Sequence, residues 1–228
     1  MKNILMIVTS HERLGSTDTK TGFWLEELAA PYQEFVQAGA RVEIASPRGG
    51  KPPADPKSES EPSAAVVAFQ ADPGARAKLE SSLRVGDLRE GYDAYFIVGG
   101  HGVMWDLADN SELATLLAQA YENGKVVAAV CHGPAALVNV QLSSGKPLVA
   151  GRRVTGFSNA EEEAVGLAKV VPFALETQLR ERGGKYESGP LWQPFAVRDG
   201  RLVTGQNPAS SALAAQQTLA AFGSSAKA

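Results

Sequence analysis

The sequence predicts an α/β fold in which helices cover both faces of a mostly parallel sheet, with one β-hairpin added. Short, unbroken apolar segments recur along the chain, as is typical of strands that are buried on both faces. Segments with helical periodicity separate them, so strand and helix alternate over most of the length. The last third departs from this alternation, because two strand-like segments follow each other with only a turn between them.

The first strand is predicted over residues 4–8, a continuous apolar run that ends at polar residues. A helix is predicted over residues 23–38, with Gly39 in the C′ position and a kink at Pro31. A short strand over residues 41–45 follows this helix. These three elements begin the alternation that is typical of a parallel sheet.

Two further buried strands are predicted over residues 94–98 and 126–130. The segment between them is predicted to be helical, because four apolar residues behind Ser111 recur at i, i+3, i+4 and i+7. These residues are Leu113, Leu116, Leu117 and Ala120. Gly124 closes the helix, and the strand over residues 126–130 leads directly into a cysteine.

The predicted hairpin pairs residues 195–198 with residues 201–204. Residues 199–200, Asp-Gly, are the two-residue signal of a type I′ turn. After the hairpin, Asn207 is suited to an N-cap and the proline that follows it to the first helical position. A final helix is therefore predicted from this point.

The chain has 228 residues and a formal net charge of −3. Its length fits a single domain over residues 1–228, with a proline-rich surface excursion over residues 47–62. The near balance of charge argues against binding to nucleic acid or to an anionic membrane, since both require a basic surface. No segment has the about 20 apolar residues that a bilayer requires, and no secretory signal precedes the first strand.

The chain contains one cysteine, Cys131, which excludes an internal disulfide and a cysteine-rich zinc site. The three histidines, His11, His101 and His132, have no short metal-ligand spacing, so neither a metal nor a cofactor is expected. These features indicate a cytoplasmic protein. They also leave the role of the single thiol to be explained.

Cys131 stands where a buried strand ends and Gly133-Pro134 begins a helix, for which proline suits the first turn. A strand, a sharp turn and a helix in this order form a nucleophile elbow, which lifts the side chain out of the sheet at its carboxyl edge. Helix N–H groups near the sulfur would favour the thiolate, so we expect it to predominate at neutral pH. The alternative is a buried structural cysteine.

Candidate binding groups surround this elbow in the sequence. His132 follows the thiol and is a candidate general base or ion-pair partner, the alternative being a turn histidine that faces solvent. Gly100, His101 and Gly102 end another buried strand, where glycine lets backbone N–H groups approach a ligand oxygen. With Gly133 they form the predicted oxyanion and substrate-binding site. Ordinary turn chemistry is the alternative for a glycine-rich strand end.

Five segments of the sequence together resemble one known superfamily. They are residues 20–27 (KTGFWLEE), 100–102 (GHG), 129–135 (AVCHGPA), 154–162 (VTGFSNAEE) and 200–210 (GRLVTGQNPAS). Their order and spread over almost the whole chain resemble the ThiJ/PfpI superfamily, whose fold is the class I glutamine amidotransferase-like flavodoxin sandwich. Within it, the chain is most similar to the heat-inducible stress-protein branch, which contains glutathione-independent glyoxalases with holdase chaperone activity.

The resemblance assigns catalytic roles by position. Cys131 corresponds to the family nucleophile, and His132 to the histidine beside it. The family's glutamate near the start of the first helix corresponds to Glu27, which lies between the marker residues Gly22 and Pro31. The third carboxylate of the family follows Thr-Gly-Phe, and here it corresponds to residue 162, a glutamate.

Neighbouring glutamates leave alternatives to two of these assignments. Glu26 is one position from Glu27 and would point elsewhere on the helix. Glu161 and Glu163 flank Glu162, and three successive glutamates are also typical of a charged helix start.

The resemblance implies a lyase of the D-lactate dehydratase class, which converts methylglyoxal and related α-oxoaldehydes to 2-hydroxy acids without glutathione. Cys131 would attack the aldehyde and form a hemithioacetal. Glu27 would move a proton between carbon and oxygen, and His132, oriented by Glu162, would carry the remaining proton transfers. The alternatives are a stress-inducible holdase chaperone, a redox-sensing protein, and a cysteine amidase or peptidase of the same superfamily.

Glutamine hydrolysis is not expected, because Ala129 stands where glutaminase domains carry glycine and no histidine follows His132. The implied partners are a small-molecule aldehyde, a second copy of the chain in a homodimer, and unfolded client proteins. Trp24, Trp105 and Trp192 could line either a small pocket or a client-binding patch. We expect at least two of the three to serve mainly in packing.

Overall fold

Nine strands lie within residues 1–60, 62–89 and 91–223, which are the residues described by the computed structural model. Residues 224–228 of the predicted domain, and Glu61 of its proline-rich segment, lie outside the described residues. The strands are β1 (Asn3–Ile7), β2 (Arg41–Ser46), β3 (Leu83–Arg84), β4 (Ala94–Ile97), β5 (Val126–Val130), β6 (Arg153–Val154), β7 (Lys185–Tyr186), β8 (Ala196–Asp199) and β9 (Leu202–Gly205).

Seven of these strands form the central sheet, in the spatial order β3-β2-β1-β4-β5-β9-β8. Each neighbouring pair is parallel except β8 and β9, which are antiparallel, and β6 pairs with β7 in a separate two-stranded sheet. β1, β4 and β5 are almost fully buried, as their apolar sequences predict. The mostly parallel α/β sheet is therefore confirmed.

The register of the central strands brings their carboxyl ends together. Ile7 of β1 pairs with Ile97 of β4, and Ile97 pairs with Ala129 of β5. The segments that follow these three strands consequently leave the sheet side by side. This is the edge where open α/β sheets hold their ligands.

Eight α-helices cover the sheet within the described part of the chain. They are α1 (Leu25–Gln37), α2 (Ala64–Ala71), α3 (Pro73–Glu80), α4 (Val103–Asp106), α5 (Ser111–Glu122), α6 (Asn159–Ala164), α7 (Leu175–Glu181) and α8 (Ser211–Ala221). α1 packs against α2 and α8, whereas α5 packs against β5 and the 3₁₀ helix Gly133–Leu137. The helices predicted over residues 23–38 and behind Ser111 correspond to α1 and α5. None of the described helices has the length and apolar character needed to cross a membrane.

The hairpin forms as predicted, but its turn lies one residue later in the chain. Asp199 pairs with Leu202, so it belongs to β8 and the two connecting residues are Gly200 and Arg201. Gly200 has a φ of 61°, which glycine adopts without a steric penalty. The final helix also begins later, since Asn207 caps a 3₁₀ turn (Pro208–Ser210) and α8 follows at Ser211.

The proline-rich segment over residues 47–62 is partly exposed, as predicted, but its middle packs against the start of α1. The Phe23 N–H donates to the Pro53 carbonyl at 3.0 Å, and the Asp55 N–H donates to the Phe23 carbonyl at 2.8 Å. Asp55 itself is buried and accepts a hydrogen bond from the Thr21 hydroxyl. A Cβ at Gly22 would lie 2.1 Å from the Pro53 carbonyl oxygen, which explains the glycine in the Thr-Gly motif.

Candidate active site

Cys131 follows β5 directly and has a φ of 59°, the left-handed region that non-glycine residues rarely adopt. The sharp turn of the predicted nucleophile elbow is therefore present, and its backbone is strained. The helix predicted to begin at Gly133 is a short 3₁₀ helix, Gly133–Leu137. A Cβ at Gly133 would lie 2.5 Å from the Ile97 carbonyl oxygen, so this glycine lets the helix pack closely on β4.

Glu27 lies in the first turn of α1, is completely buried and faces the Cys131 sulfur. The polar groups nearest its carboxyl are the Cys131 thiol and the Gly99 N–H, and neither completes a hydrogen bond of normal geometry. Burial raises the pKa of Glu27 to about 8, so the carboxyl is mostly protonated at neutral pH. Glu26 points away and accepts a hydrogen bond from Ser63.

His132 connects the sulfur to Glu162. Its Nδ1 lies 3.4 Å from the Cys131 sulfur, and its Nε2–H donates to Oε2 of Glu162 at 2.7 Å. Burial, followed by the neighbouring His101, lowers the pKa of His132 to about 4. The imidazole is therefore neutral at pH 7, and its unprotonated Nδ1 faces the thiol.

Glu162 also accepts a hydrogen bond from the Nε2–H of His101, at 2.8 Å. Burial by itself would raise the pKa of Glu162, but the hydrogen bonds from His101 and His132 outweigh it and hold the pKa at about 2. The carboxylate is thus ionised at neutral pH and fixes both imidazole rings. The interaction with His101 differs from the predicted substrate-binding role of that residue.

The three successive glutamates at the start of α6 have three different environments. Glu161 forms a capping box with Ser158, as expected for a helix start. Glu162 turns toward the histidines, and Glu163 is exposed. The helix-start interpretation therefore describes Glu161, while Glu162 has the position that the family comparison predicts.

The prediction that the thiolate predominates at neutral pH is wrong, because the pKa of Cys131 is raised and not lowered. Burial raises the pKa of Cys131, and the charge of the adjacent Glu27 raises it further. The backbone N–H groups of Gly100 and His132 act in the opposite direction but do not outweigh these effects. A five-residue 3₁₀ helix and a neutral His132 supply less positive potential than the sequence pattern suggested.

The predicted oxyanion site is only partly present. The Gly100 N–H faces the sulfur, and a Cβ there would lie 2.4 Å from the Gly22 carbonyl oxygen. The second N–H at the sulfur belongs to His132, which the sequence analysis did not assign to this role. Gly102 is unsuited to it, because its N–H donates to the Gly22 carbonyl at 3.3 Å.

Two aromatic residues, Phe157 and Trp192, lie near the site. The sequence analysis did not predict that they are in contact there. The Phe157 ring lies 4.4 Å from the His132 ring, and the Trp192 ring lies 5.8 Å from Phe157. The Thr-Gly-Phe motif was the sequence signal for Phe157. Trp105 stacks on His11 and packs against the core, and Trp24 is half-buried at the start of α1, whereas Trp192 is 44% exposed.

One group of side chains in the described part of the chain has the spacing to share a metal ion. His101, His132 and Glu162 have ligand atoms that all lie within 4.8 Å of one another. Their hydrogen bonds of 2.7 and 2.8 Å account for this arrangement by themselves. The donor set therefore gives no separate reason to infer a metal.

Comparisons with known proteins place nearly the whole chain within one family. The DJ-1/PfpI family matches residues 19–221. The chain is 31% identical to "Glutathione-independent glyoxalase hsp3102" of Schizosaccharomyces pombe, over 97% of this chain and 98% of that protein. Among solved structures, the Rapid Encystment Protein of 24 kDa from Francisella tularensis has a TM-score of 0.94 at 38% identity, covering 97% of this chain and 99% of that one. Glyoxalase III from Candida albicans has a TM-score of 0.90 at 29% identity, with 97% of both chains covered.

Proposed function

Because the chain belongs to the DJ-1/PfpI family, we propose that Cys131, Glu27 and His132 are the reacting groups of a glutathione-independent glyoxalase. The protein is an enzyme of the glyoxalase type, in keeping with relatives of that name that match nearly its full length. Its substrates are small aldehydes. The proposed substrates are methylglyoxal and related α-oxoaldehydes, and the products are 2-hydroxy acids.

One observation carries this proposal: a buried carboxyl without a normal hydrogen-bond partner faces the only thiol of the chain. A buried, unpaired carboxyl is costly for the folded state, so its presence beside a nucleophile indicates a chemical role. A pKa of about 8 lets Glu27 act as an acid first and as a base later, at neutral pH.

The first step forms the hemithioacetal. The Cys131 sulfur attacks the aldehyde carbon while its proton passes to Nδ1 of His132, which lies 3.4 Å away. Glu27 donates its proton to the aldehyde oxygen and becomes a carboxylate. The N–H groups of Gly100 and His132 stabilise the negative charge that develops on this oxygen.

The second step moves hydrogen from the aldehyde carbon to its neighbour. The Glu27 carboxylate removes the C–H proton of the hemithioacetal, while the His132 imidazolium protonates the ketone oxygen, giving an enediol. Glu27 then returns its proton to the former ketone carbon, and the hydroxyl on the sulfur-bearing carbon loses its proton to His132. The product of this step is a thioester of a 2-hydroxy acid.

The last step releases the acid. Water attacks the thioester carbon, one proton of the water passes to the Glu27 carboxylate, and His132 returns its proton to the departing sulfur. The net reaction adds one water to the α-oxoaldehyde and restores the thiol. Glu162 takes no proton in this sequence, because its low pKa keeps it ionised while it orients His132.

Turnover of methylglyoxal by purified protein, with no added thiol, tests the proposal. We expect 2-hydroxy acid to accumulate with the native chain and not with Cys131→Ser, which keeps the shape of the side chain. Equal rates for the two proteins would overturn the assignment of Cys131. The homodimer and the unfolded clients stay predictions, for which sedimentation and suppression of client aggregation are the measurements.

A further inference from the structure

Trp192 combines solvent exposure with a positive φ, and packing alone explains neither. It is 44% exposed, and its φ is 62°. Among the described non-glycine residues, Cys131 is the other one with a positive φ. Trp192 lies third in a turn in which the Gln193 N–H donates to the Pro190 carbonyl, a position where positive φ favours glycine. A bulky residue in this conformation carries strain that the surrounding structure must hold.

Four buried polar side chains hold the turn in place. Oε1 of Glu161 accepts the Trp192 N–H at 3.1 Å, and the Gln206 amide oxygen accepts the Gly189 N–H at 2.8 Å. The side chain of Asn207 donates to the Gln193 carbonyl at 3.1 Å. The Ser210 hydroxyl accepts the Phe195 N–H at 3.0 Å. Glu161, Gln206, Asn207 and Ser210 are all fully buried.

These anchors give a role to the GQNPAS part of the 200–210 segment, which the proposed mechanism does not use. Glu161 is also joined to Asn207, whose side-chain amide donates to Oε1 at 2.8 Å. Because Glu161 precedes Glu162 in α6, one helix holds both the strained tryptophan and the carboxylate that orients His132. The turn is thus rigidly fixed relative to the active site.

The tryptophan meets the active site through Phe157. Phe157 is 4% exposed, its ring centroid lies 4.4 Å from that of His132, and the Trp192 ring meets it edge to face at 5.8 Å. The Phe157 N–H also donates to the Cys131 carbonyl at 2.8 Å, which ties this residue to the elbow. The half-exposed Trp192 is therefore joined to the buried His132 through the Phe157 ring.

We propose that Trp192 is a positioning residue, which covers the Phe157–His132 ring pair and so keeps the imidazole dry and fixed for proton transfer. The proposal rests on the proposed function where it assigns proton transfer to His132. The strained turn serves this purpose, since the left-handed backbone aims a large side chain at Phe157 from a surface loop. The hydrogen bonds from the four buried side chains hold the turn in this conformation despite its backbone strain.

This role of Trp192 predicts how the activity of the enzyme depends on pH, because proton transfer by His132 requires its neutral form. The titratable groups that face His132 are Cys131 at the end of β5, His101 after β4, and Glu161 and Glu162 of α6. None of them changes when Trp192 is replaced. Loss of the cover admits water, so the burial that lowers the pKa of His132 to about 4 is relieved.

The variant Trp192→Gly tests the proposal, because glycine suits a φ of 62° and the fold is expected to persist. For the native enzyme, the ratio of kcat/KM at pH 5 to that at pH 7.5 reflects a neutral His132 at both values. In Trp192→Gly this ratio should fall about fivefold or more, as expected for an imidazole that titrates near its ordinary pKa. Trp192→Phe should keep this ratio close to that of the native enzyme, because phenylalanine retains a ring beside Phe157.

Leu191→Ala is the matched control, because Leu191 is equally exposed in the same turn and its side chain carries no ring. Its pH ratio should equal that of the native enzyme. An unchanged ratio in Trp192→Gly, or the same fall in Leu191→Ala, would overturn the role of Trp192.

Titration of the His132 ring by ¹⁵N NMR separates this inference from the proposed function. The chain has three histidines, so the His11→Gln and His101→Gln variants assign the signals. A higher midpoint in Trp192→Gly than in the native chain supports the cover even if methylglyoxal is not turned over. Identical midpoints would overturn it even if the enzyme is an active glyoxalase.

Discussion

His101 donates its Nε2–H to Glu162 at 2.8 Å, on the carboxylate oxygen that His132 does not use. The carboxylate that orients the histidine beside the thiol therefore has a second, independent partner. The two imidazole rings lie 4.1 Å apart and 42° from parallel, so they are held as a pair. This geometry allows His101 to act on the chemistry through Glu162, without contact with the substrate.

Replacing His101 with glutamine should lower kcat by about tenfold, and less than His132→Gln does, since orientation is weakened but the proton carrier remains. The KM for methylglyoxal should change little. Steady-state kinetics of both variants make this comparison. A large rise in KM with unchanged kcat would instead return His101 to the substrate-binding role that the sequence indicated.

Glu162→Gln should reduce kcat more than Glu163→Gln does, although the two residues are neighbours in α6. The buried carboxylate stabilises the His132 imidazolium that forms during turnover, so its loss should reduce kcat by roughly 10²-fold. Glu163 is exposed, and its replacement should leave the rate within about twofold, as for most surface changes. Similar rates for the two variants would mean that Glu162 has no part in proton transfer.

Glu27→Gln should abolish turnover, because the amide can neither remove the carbon-bound proton nor return it. The hemithioacetal should still form, and it can be detected as protection of Cys131 against alkylation by added methylglyoxal. Glu26→Gln is the control, since Glu26 turns toward Ser63 on the outside of the helix. Comparable losses from both changes would place the proton shuttle elsewhere.

Glu27 should also make the native protein less stable as the pH rises. Its pKa of about 8 in the folded state lies above the ordinary value of 4.5, so the folded state holds a proton that the unfolded state releases between these two pH values. The free energy of unfolding should therefore fall over that window by an amount on the order of a few kcal/mol. Urea unfolding at pH 5 and pH 8 should show a smaller fall for Glu27→Gln, and equal falls would contradict the raised pKa.

Alkylation of Cys131 should be slow in the native protein at neutral pH. Burial and Glu27 both raise the pKa of the thiol, so the midpoint of iodoacetamide labelling should lie above the ordinary value of about 8.5. Glu27→Gln removes the charge of the carboxyl and should lower this midpoint. Since Cys131 is the only cysteine, mass spectrometry of the intact chain reports on it directly. Fast labelling at pH 7 would contradict the raised pKa and support the thiolate that the sequence pattern predicted.

The sequence by itself determined the backbone framework of this protein. Apolar runs specify buried strands, and a cysteine followed by His-Gly-Pro specifies a sharp turn, because these patterns act through local sterics and through the need to bury apolar surface. The resemblance to the family likewise indicated Glu27 as a candidate, by its position relative to Gly22 and Pro31. These features depend on residues that are close along the chain.

Only the tertiary structure decided the protonation states and partners within the site. The pKa of Cys131 is set by burial and by a glutamate from α1, which outweigh the N–H groups at the turn. His101 and Trp192 lie far from residues 161 and 162 in sequence, and no local pattern shows that they meet. Electrostatic energies depend on solvent exclusion and on distances between atoms, and both are fixed only when separate segments pack together.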